Sequence, residues 1–122
     1  MKFVALQAGN QNVITGYGDG YVSINTQRYT SAVIVTPNRT VAEWDVRDFA
    51  ALEPAHMQAL LDLKPEIVLL GTGERQQFPR PDLMRMFMEA RVGFEAMDTR
   101  AACRTYNVLM SESREVLAAL FV

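Results

Sequence analysis

Pro65-Glu66-Ile67-Val68-Leu69-Leu70-Gly71-Thr72-Gly73 is the stretch on which the reading of the fold turns. Four consecutive aliphatic residues between a proline and a glycine pair read as a short strand, residues 67–70, covered on both faces. Upstream, Glu53-Pro54 opens a helix, with Pro54 at the first helical position where its missing N–H is harmless. Met57, Leu60 and Leu61, with Leu63 nearby, give that helix an apolar stripe, and Pro65 forces its end. Downstream, the polar segment 74–80 leads to Pro81-Asp82 and a second helix over residues 82–92, with Gly93 as its stop. Phe94-Glu95-Ala96-Met97 is a short strand. Asp98 or Thr99 then caps a third helix over residues 99–110, broken by Ser111-Glu112-Ser113. The last stretch reads as a strand over residues 116–121 or as a continued helix. The strand–helix–strand rhythm favours the strand, and such units make right-handed crossovers between parallel strands.

The first third has a different period. Val13-Ile14-Thr15-Gly16 is short and β-prone, Gly18-Asp19-Gly20 is turn chemistry, and Tyr21-Val22-Ser23-Ile24-Asn25 alternates. Residues 28–36 read as one strand around the run Ala32-Val33-Ile34-Val35, closed by Pro37-Asn38. Val41-Ala42-Glu43-Trp44 alternates as an edge strand. Short turns between two-residue periods predict an antiparallel first half that extends the sheet of the second half. The expected fold class is therefore α/β, a single domain over residues 1–122. Its mixed sheet carries antiparallel N-terminal strands and a hairpin, and its C-terminal half is βαβαβ-like.

Composition excludes several functions. With 49% hydrophobic and 21% charged residues, the chain has what a packed core needs. A net charge of −2 argues against a dedicated nucleic-acid binder. One Cys and one His make neither an internal disulfide nor a zinc site of the usual kind, so no metal is expected. No stretch approaches the ~20 apolar residues that cross a bilayer. The apolar start, residues 1–6, is too short for a secretory signal. A cytoplasmic protein without direct membrane insertion is the expectation.

Two weak motifs converge on one sheet edge. Gly71-Thr72-Gly73 follows the buried strand at its carboxyl end, where ligands bind in open α/β sheets, and glycine-loop N–H groups can cradle an anion. Neither a Walker lysine nor a third fingerprint glycine follows, so a tight turn is the plainer reading. Thr99 and Arg100 start a helix at the same edge, and a helix start favours anions. Arg75, Arg80 and Arg100 are within reach of it. Together Gly71, Thr72, Gly73, Arg75, Thr99 and Arg100 form a candidate ligand site.

The remaining chemistry is sparse. Glu43, Asp45, Asp48, Glu95 and Asp98 lie near strand ends without a pattern that makes them an acid–base pair. Cys103 lies mid-helix beside Ala102, where a small buried residue belongs, and His56 is on another helix, so no catalytic residue is assigned. The helix 82–92 confines Asp82, Arg85 and Glu89 to one narrow stripe. If Leu83, Phe87 and Ala90 face the sheet, Met84 and Met88 are left as a candidate partner surface.

The quoted stretch resembles the proline–strand–Gly-Thr-Gly segment of a small α/β family. That family includes mitochondrial complex I (NADH:ubiquinone oxidoreductase) assembly factor 3 and many uncharacterised bacterial and archaeal proteins. Gly93-Phe94-Glu95-Ala96-Met97-Asp98-Thr99 resembles its second signature, and Ala102, Thr105-Tyr106-Asn107 and Leu109 its third. The resemblance runs over roughly residues 20–122. It implies a three-layer α/β fold on a mixed sheet with an added hairpin. It also implies a non-enzymatic helper that binds a protein partner, among them subunits of a membrane complex, without a cofactor. A homodimer is compatible with it. The alternative left by the residues is a small-molecule or anion-binding domain with its site at the Gly71–Gly73 and Thr99 edge.

Overall fold

The protein, seen as a computed structural model, is described over residues 10–122; the apolar start at residues 1–6 lies outside the described residues. The alternating first third folds as a three-stranded antiparallel sheet, β1 (Ile14–Gly18), β2 (Tyr21–Ile24) and β3 (Gln27–Tyr29), in the order β1-β2-β3. A second, five-stranded sheet holds β4 (Val33–Val35), β5 (Val41–Glu43), β6 (Ile67–Gly71), β7 (Gly93–Met97) and β8 (Val116–Leu120) in the order β5-β4-β8-β6-β7. β6 pairs in parallel with both β7 and β8, while β4 runs antiparallel to β8 and β5. The helices are α1 (Pro54–Leu61), α2 (Pro81–Glu89) and α3 (Thr99–Ser111), with a single 3₁₀ turn at Phe49–Ala51.

Strand alternation sends successive side chains to opposite faces, and here both faces are covered. Val33, Val35, Leu69, Val116, Ala118 and Leu120 join a core with α3 and the three-stranded sheet. Ile34, Val68, Leu70, Leu117, Ala119 and Phe121 join the other core, with α1 and α2. This is why residues 67–70 are apolar without a break. On the second face Phe87 stacks on Phe94 at 4.6 Å between ring centres, and Trp44 lies 5.1 Å from Phe121.

The structure corrects four sequence expectations. Residues 28–36 are not one strand. They divide between β3 and β4, which lie in different sheets. Only Ala32 onward is fully covered, while Gln27 and Arg28 are exposed, so the chain changes sheets where burial begins. For the same reason only β4 and β5 extend the main sheet, and β1–β3 stand apart as their own sheet. The second helix ends at Glu89, not Val92, and Gly93 opens β7 rather than stopping the helix. The stop is Arg91, left-handed at φ 58. Arg91 N–H donates to Met88 O and Val92 N–H to Phe87 O, the paired closure of a Schellman motif. Finally, Ala90, the last residue of the helical backbone before the left-handed Arg91, is exposed and does not join the core that Leu83 and Phe87 enter. Of the two readings of the last stretch, the strand is the observed one.

Candidate functional site

The chain leaves β6 toward α2 on one face of the sheet and leaves β7 toward α3 on the other. The carboxyl ends of these neighbouring strands are therefore a topological switch point, the usual ligand crevice of an open α/β sheet. Gly71-Thr72-Gly73 and Asp98-Thr99-Arg100 meet there, as the sequence predicts for parallel strands.

In this protein the crevice is stitched closed by its own hydrogen bonds. Thr72 N–H donates to Met97 O at 2.8 Å, and Thr99 N–H donates to Gly73 O at 2.9 Å. The Thr99 hydroxyl accepts from Gly73 N–H at 2.8 Å and donates to Phe121 O at 2.5 Å. The Thr72 hydroxyl donates to Arg75 O at 2.6 Å and accepts from Gln77 N–H at 3.1 Å. Both threonines are buried. The helix cap is Asp98, whose carboxylate accepts from Ala101 N–H at 2.9 Å. Thr99 is thus a tie between strand ends rather than the cap. Glycine is required twice in this loop. A Cβ at Gly71 would sit 2.8 Å from Leu120 Cδ2 and 3.2 Å from Thr99 Cα, and Gly73 has φ +102.

The open space lies beside this seam. A cleft of about 240 Å³ is walled by the β1–β2 turn (residues 17–21), Gly73-Glu74, the start of α3 and Phe121-Val122. Arg100 crosses its mouth: Nη2 meets Asp19 Oδ1 at 2.9 Å, and the guanidinium carbon lies 5.5 Å from the Tyr17 ring centre. Arg104 donates to the Tyr17 hydroxyl at 2.8 Å, and Arg28 lies 3.9 Å from the Tyr21 ring centre. Of the candidate ligand residues, Gly73, Thr99 and Arg100 line this cleft, whereas Gly71 and Thr72 are buried behind it and the Arg75 side chain is exposed outside its lining. Arg80 is held elsewhere, donating to Leu52 O and pairing with Asp82 and Glu53.

The sequence reading missed the hairpin wall. Tyr17 and Tyr21 bracket Gly18-Asp19-Gly20, and two aromatic residues flanking a turn were the available signal. It also gave no role to Asn107, quoted only as part of the third signature, whose amide bonds to the backbone of Ile14 at both N–H and C=O. Sequence spacing carries no sign of a contact between residues so far apart in the chain.

Cys103 and His56 lie on opposite faces of the main sheet. Cys103 is buried in the core with Tyr106. His56 completes the capping box of α1, its Nδ1 accepting from Glu53 N–H at 2.9 Å. Burial pushes the Cys103 thiol up from 9.0 to about 12. The folded chain therefore holds a proton that the unfolded chain releases from pH ~9 upward. This favours folding fully below that pH and fades as pH rises from about 9 to about 12. Native protein at pH 8 is expected to react with a thiol reagent only as fast as it unfolds. Rapid stoichiometric labelling without unfolding would show Cys103 to be accessible.

Asp48 caps the 3₁₀ turn, and Glu43, Asp45 and Glu95 are exposed. Among the described residues, no three of His, Cys, Asp and Glu gather as metal ligands. On α2, Leu83 and Phe87 are buried, Met84 is half-buried and Met88 is 77% exposed. No helix among the described residues is long and apolar enough to cross a membrane.

The chain is similar to a protein of Bordetella parapertussis known from a crystal structure, at 42% identity and a TM-score of 0.88, covering 94% of this chain and 98% of that one. It is 30% identical over 101 residues to the 13 kDa major membrane protein of Francisella tularensis subsp. holarctica, covering 82% of each. It is 31% identical over 99 residues to NADH dehydrogenase (ubiquinone) 1 alpha subcomplex assembly factor 3 of Xenopus tropicalis, covering 80% of this chain. It spans about half the length of that relative, 54%. The model of one family, described as a protein of unknown function (DUF498/DUF598), matches residues 14–121, the hairpin, the seam and both cores included, and the chain belongs to that family.

Proposed function

We propose that this protein is a non-enzymatic, cytoplasmic helper that binds subunits of a membrane-bound respiratory complex during assembly. The observation that carries the reading is the homology to assembly factor 3 across most of this chain. The closed switch point supports it, because the crevice that α/β enzymes use is occupied here by Thr72 and Thr99. The docking surface in this reading is α2, where Met88 is 77% exposed and Met84 half-buried. Methionine adapts to irregular partners.

Covering these two side chains contributes on the order of 2–4 kcal/mol, which is more than tenfold in affinity. Affinity capture from native lysate in mild detergent is expected to bring down subunits of a membrane-bound NADH:quinone oxidoreductase. Met84→Glu with Met88→Glu is expected to leave the protein folded and to reduce that capture by more than about tenfold. Capture undiminished by a folded double variant would place the docking face elsewhere. Capture of no respiratory subunit by the parent would remove the assembly reading.

A further inference from the structure

The cleft beside the closed seam has a composition that the docking reading does not need. We propose that it is a binding site for a small aromatic carboxylate, a function independent of partner docking on α2. Three rings contribute to its otherwise glycine-rich and polar lining, with Tyr17 and Phe121 buried and Tyr21 half-buried. A cavity of about 150 Å³ takes a benzene ring, so about 240 Å³ holds a ring together with one carboxylate. Aromatic walls favour a flat ring over an aliphatic body of the same size through offset and edge contacts.

The charge comes from Arg100. Its guanidinium sits at the mouth over the Tyr17 ring and already holds a carboxylate, that of Asp19. Asp19 is on the hairpin tip, and its side chain is fully exposed (100%). Exposed ion pairs are weak, so this internal carboxylate is an exchangeable occupant of an anion position. A ligand carboxylate that also buries its ring forms the same charge-assisted bond in a drier place. Arg28 and Arg104, each on one of the two tyrosines, add positive charge beside a lining that itself carries Arg100, Asp19 and Glu74. Glu74 also lines the cleft and sets a limit. It disfavours a second negative charge, which selects a carboxylate over a phosphate dianion.

The test uses the full chain and four probes: benzoate, cyclohexanecarboxylate, inorganic phosphate and benzyltrimethylammonium. Binding is read by amide chemical shifts, with Gly18, Gly20, Gly73 and Arg100 as reporters. Benzoate is expected to shift these reporters saturably and to bind more tightly than the other three. The two mouth substitutions are expected to act in opposite directions. Asp19→Asn removes the competing carboxylate and tightens benzoate binding about threefold or more, whereas Arg100→Gln weakens it about tenfold. Both residues are exposed; should Arg100→Gln fail to fold, the tightening by Asp19→Asn still decides. Benzoate shifts that neither substitution alters would overturn the proposal, as would the absence of saturable shifts. Equal binding of inorganic phosphate would reduce the site to an unspecific anion contact, and preferential binding of the ammonium would reverse its charge preference.

Discussion

Asn107→Leu is expected to destabilise the fold by about 2–6 kcal/mol, the orphaning of two buried backbone groups at about 1–3 kcal/mol each. Against a total of about 5–15 kcal/mol for a domain, this is the difference between a stable and a marginal protein. Asn107 is 2% exposed. Its Nδ2 donates to Ile14 O at 2.8 Å, and its Oδ1 accepts from Ile14 N–H at 3.1 Å. Ile14 begins the outer strand of the small sheet, and both its backbone groups point toward α3 instead of β2. One primary amide carries a donor and an acceptor side by side and so stands in for a neighbouring strand. Asp lacks the donor, Leu lacks both, and Ser is too short to span the pair. Further polar tethers from α3 are the Tyr106 hydroxyl, which donates to Asn12 O at 2.8 Å, and Arg104, which donates to the Tyr17 hydroxyl. Urea unfolding should show the midpoint falling by about 1–3 M at a slope of about 2 kcal/mol per molar. Native-state hydrogen exchange should show β1–β3 losing protection before the main sheet does. A loss below about 0.5 kcal/mol, the scatter of ordinary surface changes, would show that the amide is not holding the small sheet.

The legible part of this fold is the part written in local pattern. The aliphatic run 67–70, the proline stops and the strand–helix rhythm after it depend on neighbours within a few residues, and the α/β class and the parallel strand follow from them. The convergence of Gly71-Thr72-Gly73 with Thr99 was also legible, since topology alone brings the ends of adjacent parallel strands together. What was not legible depends on contacts between distant segments. Residues 28–36 contain no glycine or proline to mark the change of sheet. The burial of Val33 but not Arg28 is decided by β8, which supplies the neighbour of β4 from the far end of the chain. Arg91 ends α2 in a conformation usually given to glycine, while a glycine two residues later drew the prediction. At the site, sequence shows that a threonine and a glycine loop share an edge. It does not show that the threonine hydroxyl closes the loop and moves the open space toward the hairpin.

Thr99→Val separates those two descriptions of the edge, with an expected cost of about 1–4 kcal/mol, most of it from the buried Phe121 O and less from the part-buried Gly73 N–H. Valine keeps the β-branched shape at a position only 7% exposed, so packing changes little. What is lost is one oxygen. It accepts from Gly73 N–H at 2.8 Å and donates to Phe121 O at 2.5 Å, joining the exits of β6 and β8 to the start of α3. Were Thr99 an ordinary helix cap, the loss would be about 0.5–2 kcal/mol. That role belongs to Asp98, through its bond to Ala101 N–H. The expected order of destabilisation is therefore Thr99→Val above Asp98→Ala, with Thr99→Ser close to the parent because serine restores the oxygen. Urea midpoints of the three variants check it. The order also bears on the cleft, whose wall includes both Thr99 and Gly73. Without the hydroxyl, Gly73 has lost its side-chain anchor, and the reporter amides of Gly73 and Arg100 should shift before any probe is added. Asp98→Ala costing more than Thr99→Val, with those amides unmoved, would mean that the seam is held by backbone bonds alone and that the threonine serves the helix.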